Sequence, residues 1–324
     1  MPGSEPRTTV VVVTWRGRDH VGRCLDALAA QTAAHRLLVV DNASEDGTAA
    51  VLAAALPAGR VLRLPANRGY AGGLAVALPH VSTAYVAWLN DDAEPEPAWL
   101  ATLEAALDDT PRAAAAGSLL LSASGAVQSA GVVLTARGYG RDLVRLPDGG
   151  DSGSGHSGAF GFCGGAALLR TGALRAAGGV PAGFFCYYED TDTAWRLRLA
   201  GYDVITVSAA RVRHRHGAST TIGSPAFHLW NERNHLVMLL RCAPAAVAWR
   251  EVARFAATTA ALPLRRLRRH SVLRPASNHR AALRVRVLAE IAIRLPATLA
   301  QRAAIGRRAT VQRQEVWRRW ARCA

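Results

Sequence analysis

The 324-residue chain contains no lysine, so all 39 of its basic side chains are arginines. Without lysine there is no phosphate-binding loop that ends in Gly-Lys-Ser or Gly-Lys-Thr, and no mechanism through a lysine Schiff base. The five cysteines are odd in number and form no Cys-x-x-Cys pair. A disulfide framework or a zinc site is therefore not expected, and reduced thiols in the cytoplasm are predicted.

The chain also lacks a long uninterrupted apolar run. The apolar stretch over residues 247–264 is interrupted by Arg250, Glu251 and Arg254, which makes it too charged for a clean membrane span. Residues 1–7 lead directly into a strand, without a basic region followed by a long apolar stretch. No secretory signal is therefore expected.

The net charge of +15 is unevenly distributed along the chain. Residues 241–324 hold 19 arginines and 3 acids, whereas residues 1–240 hold 20 arginines and 21 acids. We therefore predict a near-neutral globular domain over residues 1–240 and an Arg-rich amphipathic helical tail over residues 241–324. Such helices are typical of contact with a membrane surface, and a helical appendage without lipid contact is the alternative.

Strands and helices alternate in the first third of the chain. The β-branched run Thr9–Val13 has no polar alternation, as expected of a strand that is buried on both faces. A helical pattern follows it, and further strands end at Asp41 and just before Asp91. This order predicts an α/β fold with a Rossmann-like, mixed but mostly parallel sheet flanked by helices on both faces.

Acidic residues stand where the predicted strands end. Asp41 ends one strand, Asp91 and Asp92 follow another, and Glu189-Asp190 opens a later helix. Ligands bind outside the carboxyl ends of the strands in such sheets, and paired carboxylates there can hold a hard divalent cation that in turn holds a diphosphate. Each of these groups also has a plainer interpretation, as a turn or as N-terminal helix charge.

Six motifs carry a resemblance to a known family. They are Val10–Trp15, Val39–Thr48, Asn67–Gly73, Leu89–Asp92, Cys163–Ala166 and Tyr187–Asp192. In this order they resemble glycosyltransferase family 2, over roughly residues 7–240, and within it a rhamnosyltransferase-like branch. The resemblance implies a GT-A fold and an inverting transfer from a nucleotide-diphospho-sugar.

The resemblance also implies roles for the residues that would bind the nucleotide. Asp41 would bond the nucleoside base, near the backbone of Thr14. Asn67 and Gly69 would line the nucleotide pocket, and Asp91 would bond the ribose or the sugar.

The remaining roles concern the metal and the base. Asp92 would be the direct ligand of Mg²⁺ or Mn²⁺, and His214 would contact the metal or the diphosphate, with His216 as the alternative. Asp190 would be the catalytic base, with Glu189 as the alternative. A metal would neutralise the leaving diphosphate while the base takes the proton of the acceptor hydroxyl.

The prediction is therefore a peripheral enzyme at the inner face of the plasma membrane. It would move a sugar such as rhamnose from a dTDP- or UDP-sugar to a glycan or a polyprenyl-linked acceptor. A sugar-1-phosphate nucleotidyltransferase is the nearest alternative, although no Gly-rich loop with a basic residue follows the first strand. A nucleic-acid-binding protein that uses the basic tail is a further alternative, but the apolar stripes of the tail favour lipid or a partner helix.

Overall fold

The structure is a computed structural model that describes residues 5–57, 59–145, 158–215, 223–268 and 280–321. The strands are β1 (Thr8–Thr14), β2 (His35–Asp41), β3 (Val61–Arg63), β4 (Tyr85–Asn90), β5 (Ala93–Pro95), β6 (Ala113–Leu121), β7 (Val127–Ser129), β8 (Val132–Leu134), β9 (Gly140–Asp142), β10 (Ala166–Arg170) and β11 (Asp203–His214). The helices are α1 (Val21–Ala29), α2 (Thr48–Ala55), α3 (Gly69–Ala77), α4 (Trp99–Asp108), α5 (Thr171–Ala176), α6 (Glu189–Leu199), α7 (Pro225–Cys242), α8 (Ala245–Arg268), α9 (Ala281–Arg308) and α10 (Arg313–Trp320).

One large mixed sheet organises the domain. Its strand order is β3-β2-β1-β4-β10-β6-β11-β5, with β7 paired to the edge of β6, while β8 and β9 form a separate ribbon. The strands β3, β2, β1 and β4 are parallel to one another, and β6 is parallel to β11. Strand β10 is antiparallel to both of its neighbours. The α/β fold and the mostly parallel sheet flanked by helices are confirmed.

The central strands are buried on both faces, as their sequences predict. All seven residues of β1 are buried, and helices cover each side of the sheet. Trp88 of β4 packs edge-on against Phe162 in one layer, with ring centroids 5.6 Å apart. Leu100 and Leu103 of α4 belong to the other layer. This two-sided core fixes the ends of the strands at which the polar residues stand.

Strand β11 is the longest strand of the sheet. It runs from Asp203 to His214 through an irregular register between Val207 and Arg211. Beyond this irregularity, His214 pairs with Ala93 of β5 in an antiparallel register. The extension therefore brings His214 beside Asp92.

The C-terminal residues are helical and pack against the same core. Val287, Ile291 and Val316 are buried in the cluster that contains the sheet residues. Trp317 of α10 stacks on Trp195 of α6, with ring centroids 6.1 Å apart. The predicted boundary at residue 240 falls inside α7, and the division into two domains stays a prediction.

Within the described ranges, no helix is both long enough and apolar enough to span a membrane.

Candidate active site

A cavity of 480 Å³ opens at the carboxyl ends of β1 and β4. Seven of the predicted site residues line it, namely Asn67, Gly69, Asp91, Asp92, Glu189, Asp190 and His214. Thr14 is fully buried at the end of β1, and its carbonyl oxygen accepts a hydrogen bond from the backbone of Asn42, which does line the cavity. His216 lies outside the described residues.

Asp92 and His214 lie side by side at the cavity and could together hold a cation. Asp92 Oδ1 lies 3.2 Å from His214 Nε2, and both side chains are buried. The backbone of Arg215 also donates to the Asp92 carbonyl oxygen, over 3.1 Å, which holds β11 against the turn that carries Asp92. The strand extension described above is what creates this pair.

Gln128 of β7 sets the orientation of the His214 ring. Gln128 Nε2 lies 3.0 Å from the carbonyl oxygen of His214, which can only accept a hydrogen bond. The other end of the amide, Oε1, therefore faces His214 Nδ1 at 3.0 Å and must accept from it. The Nδ1 atom thus carries a proton, and Nε2 is the ring atom that faces Asp92 and Asn90.

These donors fit a divalent cation that is shared with a bound ligand. Among the described residues, no three His, Cys, Asp or Glu side chains converge on one point, so this part of the chain forms no all-protein cage. A carboxylate oxygen and an imidazole nitrogen 3.2 Å apart suit neighbouring positions around a cation with bonds of about 2.0–2.2 Å. A site with two protein ligands leaves its other positions for phosphate oxygens and water, as Mg²⁺ and Mn²⁺ commonly require.

Asp91 is engaged by a histidine that the sequence did not single out. His20 Nε2 lies 3.1 Å from Asp91 Oδ2, and this contact raises the pKa of the His20 imidazole. A side chain at Gly17 would collide with this carboxylate, because its Cβ would lie 2.7 Å from Oδ2. The absence of a side chain at Gly17 therefore leaves room for the Asp91 carboxylate beside the loop after β1.

A glycine turn supports the wall on the side of α3. Asn67 Oδ1 accepts from the backbone of Gly69, and Asn42 bridges the same turn by donating to Gly69 O and accepting from Arg68 N. Gly69 has φ +70°, and a Cβ there would lie 2.1 Å from the carbonyl oxygen of Phe185. Only glycine permits this approach between the two walls of the cavity.

Asp41 is placed behind the cavity wall. It is fully buried, and its Oδ2 lies 2.6 Å from Arg63 Nη1 while Oδ1 accepts from the backbone of Ser44. The Arg63 side chain is half exposed. The predicted contact between Asp41 and a nucleoside base stays a prediction, and Arg63 is the group that already pairs with this carboxylate.

Glu189 and Asp190 begin α6 and have different surroundings. Asp190 Oδ2 accepts from Gly164 N over 2.9 Å, and Oδ1 accepts from the backbone and the hydroxyl of Thr191. Burial raises the pKa of Asp190, whereas these donors oppose the rise because they stabilise the charged form. Burial and the charge of Asp190 raise the pKa of Glu189 to about 8, and Glu189 Oε2 is buried without a hydrogen-bond donor among the described residues. Near neutral pH Glu189 is largely protonated, and Asp190, whose hydrogen-bond donors favour its charged form, is the candidate base.

The segment before α6 has a strained backbone. Phe185, Tyr187 and Tyr188 all have φ near +70°, a region that residues with side chains rarely adopt. Asn234 of α7 holds this segment, because its Nδ2 lies within 2.9 Å of the carbonyl oxygens of Phe184, Cys186 and Tyr187. Strain of this kind persists only where surrounding contacts impose it, and here it aims Asp190 into the cavity.

Aromatic side chains form part of the cavity wall. Phe185 packs on Trp230 with ring centroids 4.6 Å apart, and Tyr187 meets Phe227 edge-on at 5.1 Å. All four line the cavity. An apolar aromatic wall beside carboxylates suits the ring faces of a sugar, whereas Phe184 is buried and belongs to the core.

Comparison with known families gives a match over the first half of the chain. Residues 9–176 match the model of Glycosyl transferase family 2, which covers all the strands from β1 to β10. The chain is also 30% identical, over 259 residues, to N-acetylglucosaminyl-diphospho-decaprenol L-rhamnosyltransferase of Mycobacterium tuberculosis. The matched region covers 68% of this chain and 79% of that relative.

Solved structures show the same fold at lower identity. A structure of GalNAc-T7 with UDP, GalNAc and Mn²⁺ matches 90% of the chain with a TM-score of 0.60 and 12% identity, and the chain spans 57% of it. The mannosyltransferase PcManGT of Pyrobaculum calidifontis, in complex with GDP-Man and Mn²⁺, matches 95% of the chain with a TM-score of 0.52 and 19% identity, over 87% of its own length. Residues 1–349 of S. aureus TarS with UDP-GlcNAc match 77% of the chain with a TM-score of 0.52 and 18% identity, over 71% of that chain. These likenesses show that the fold is GT-A.

Proposed function

The chain belongs to glycosyl transferase family 2 and is a glycosyltransferase, and from this premise we propose that it is an inverting, metal-dependent enzyme that acts at a membrane surface. The observation that carries the proposal is that Asp92, His214 and Asp190 line the same cavity. Direct displacement of a nucleoside diphosphate needs a cation, which Asp92 and His214 would hold, and a base, which Asp190 would supply.

The proposed donor is a dTDP- or UDP-linked sugar, and the proposed sugar is rhamnose. The mycobacterial relative supports rhamnose by its own activity, and the structural neighbours support a nucleotide donor because they hold UDP-GlcNAc or GDP-Man. Asn67 and Gly69 would border the nucleotide, and Asp91 would bond its ribose or the sugar. The contact with His20 orients the Asp91 carboxylate for that bond.

Asp92 and His214 would hold the Mg²⁺ or Mn²⁺ ion together with the diphosphate. When bound, the cation would neutralise the charge that develops on the leaving diphosphate. Gln128 would present the lone pair of His214 Nε2, because its amide fixes the proton on Nδ1. Two Mn²⁺-containing neighbours of the same fold support this assignment.

Asp190 would act as the base in a single displacement. The proton of the acceptor hydroxyl passes to a carboxylate oxygen of Asp190 while that hydroxyl oxygen bonds to the anomeric carbon. The bond from the anomeric carbon to the phosphate oxygen breaks, and the nucleoside diphosphate leaves with its electron pair. Oδ1 of Asp190 accepts two hydrogen bonds from Thr191, whereas Oδ2 accepts one from Gly164 N and has a second lone pair for the proton. One displacement inverts the anomeric centre.

The proposed acceptor is a polyprenyl-linked glycan, as the name of the mycobacterial relative states for that enzyme. A long lipid carrier would require the enzyme to work against a membrane. Helix α9 offers an apolar face for this contact, since Val285, Ile293 and Leu299 are 56%, 79% and 42% exposed. At helical spacing these three positions fall on one side, and the exposed Pro296 lies between them.

We propose accordingly that the protein lies at the inner face of the plasma membrane. The exposed Arg286 borders the apolar face of α9 and can meet anionic headgroups. Arg286 would therefore assist lipid contact, and nucleic acid is not the proposed partner.

The test of the function is a transfer assay with defined donors. The purified protein, with Mn²⁺, is incubated with dTDP- and UDP-sugars and with a GlcNAc-diphospho-polyprenol, and the products are identified by mass spectrometry and NMR. We expect a single added sugar whose anomeric configuration is opposite to that of the donor. Retained configuration, or transfer that is unaffected by a chelator, would contradict the proposed mechanism.

A further inference from the structure

A second cavity, of 360 Å³, lies on the other side of the strained segment from the active site. Phe184 lines this second cavity, whereas the next residue, Phe185, lines the active-site cavity. Its walls are the loop over residues 177–184 and one side each of α7 and α9. No step of the proposed reaction uses it.

Five arginines line this second cavity, which we call the arginine cavity. They are Arg196, Arg233, Arg241, Arg294 and Arg308. The first three are buried, and their acidic partners are only two: Asp192 pairs with both Arg196 and Arg241, and Glu290 pairs with Arg233. Within the described residues the five cations thus have two carboxylate partners, which leaves an excess of three positive charges.

The excess charge is concentrated on the α9 side of the cavity. In the part of the chain that the structure describes, Arg294 and Arg308 have no carboxylate within ion-pair distance. Arg294 Nη1 donates to the carbonyl oxygen of Gly183 over 3.2 Å. A Cβ atom at Gly178, which has φ +100°, would lie 2.8 Å from Arg308 Nη1 and 3.8 Å from Arg196 Nη1. The two guanidinium groups therefore approach each other at this glycine.

This arrangement is costly without an anion. Like charges that are close together repel each other, and burial disfavours the charged guanidinium of Arg233, whose pKa is lowered. The Arg241 Nε atom is buried and makes no hydrogen bond of good geometry, although it lies 3.2 Å from Asp192 Oδ2. Guanidinium groups with N–H donors to spare match the oxygens of a phosphate.

We propose that the arginine cavity binds a phosphate or diphosphate group. Arg294 and Arg308 would supply the main charge-assisted hydrogen bonds, because the N–H groups of Arg196 and Arg233 already serve protein acceptors. Arg241 would supply the remaining positive charge from the floor of the cavity.

The position of the cavity on α9 bears on where the bound phosphate group would come from. Arg294, Thr298 and Arg308 lie on the side of the helix away from Val285 and Pro296, at helical spacing. A headgroup of the bilayer on which the apolar face rests is therefore not the proposed ligand. The two sources that remain are a free inorganic anion and the diphosphate of a lipid-linked acceptor, and the second rests on the proposed function.

The test is calorimetric titration of the full chain with pyrophosphate, in EDTA to exclude metal binding in the active site. We expect saturable binding that is about tenfold weaker in Arg294→Gln and in Arg308→Gln, and more than tenfold weaker in the double variant, because each loses charge-assisted hydrogen bonds. The matched control is Arg307→Gln, which removes the same charge from an exposed position on α9 outside the cavity. Its affinity should be unchanged.

Three outcomes would overturn the proposal. They are the absence of saturable binding to the wild-type chain, an equal loss in Arg307→Gln, and loss of binding in Asp92→Asn, which would place the anion in the active site. Farnesyl diphosphate then distinguishes the sources: tighter binding than pyrophosphate assigns the site to a lipid-linked diphosphate, and equal or weaker binding assigns it to a free anion. The titration needs neither donor nor turnover, so its failure is distinct from failure of the proposed glycosyl transfer.

Discussion

Replacement of Asp190 by asparagine is expected to abolish most of the turnover while donor binding persists. A well-placed general base contributes about 10²–10⁴-fold to the rate, so we expect kcat to fall by that factor. The donor would bind through Asp91, which pairs with His20, and through Asp92 and His214, which pair with each other, so its Kd should change little.

The same substitution has a structural cost that can be worked from the contacts. Both carboxylate oxygens of Asp190 accept backbone hydrogen bonds, from Gly164 N and from Thr191 N. Asparagine has one oxygen, so its NH₂ group must face one of these donors. A buried donor left without an acceptor costs about 1–3 kcal/mol, and we expect a loss of stability of this size.

The assay measures initial rates and donor affinity for Asp190→Asn and, as the matched variant, for Glu189→Gln. Glu189 is largely protonated near neutral pH, so its amide replacement should reduce kcat by less than about tenfold, well below the contribution of a general base. Retained turnover in Asp190→Asn would refute the assignment of the base. Equal losses in the two variants would show that the carboxyls act as one unit instead.

Three further predictions concern separate parts of the molecule. Gln128→Leu should weaken Mn²⁺ binding by about 10–100-fold in the presence of a nucleoside diphosphate, measured by calorimetry, because the His214 tautomer is no longer fixed. The free energy of unfolding of the wild type, relative to that of Glu189→Gln, should fall as pH rises from about 4.5 to about 8, by up to about 1.4 kcal/mol per pH unit. The reason is that a carboxyl group with a raised pKa stabilises the fold only while it is protonated. Chemical denaturation across that pH range measures the difference. Ile293→Asp should reduce sedimentation with anionic vesicles several-fold without lowering the melting temperature, because the side chain is 79% exposed.

Each of these predictions has its own control. Gln314→Leu removes an exposed glutamine of α10 and should leave Mn²⁺ affinity unchanged. Parallel pH curves for the wild type and Glu189→Gln would contradict the raised pKa. Val144→Asp introduces the same charge at an exposed valine outside α9, so equal loss of vesicle binding there would contradict a specific face on α9.

The placement of the carboxylates follows from the order of strands and could be predicted. Strands β1 and β4 are parallel neighbours, so the loops after Thr14 and Asn90 must meet at one edge of the sheet. Glu189 begins α6 as the pattern of acids before an apolar helix indicates. These are local consequences of strand and helix patterns that the sequence displays.

The supporting residues could not be predicted, because long-range pairing places them. Gln128 stands on a three-residue strand with no motif, and it reaches His214 only because β11 continues past an irregular register. Asn234 lies in the middle of α7 without a recognisable motif, and its role depends on the carbonyl groups of the strained segment that α7 faces. His20 stands directly before α1, and only the fold shows that it lies beside Asp91.

The central claim is that Asp92 holds a cation which binds the diphosphate of the donor. Thermal denaturation with a panel of dTDP- and UDP-sugars tests it most directly, since a ligand that binds only the folded state raises the melting temperature. We predict that at least one donor raises the melting temperature of the wild type with Mn²⁺ and does so far less in EDTA or in Asp92→Asn. An equal rise without metal, or in Asp92→Asn with Mn²⁺, would contradict the claim.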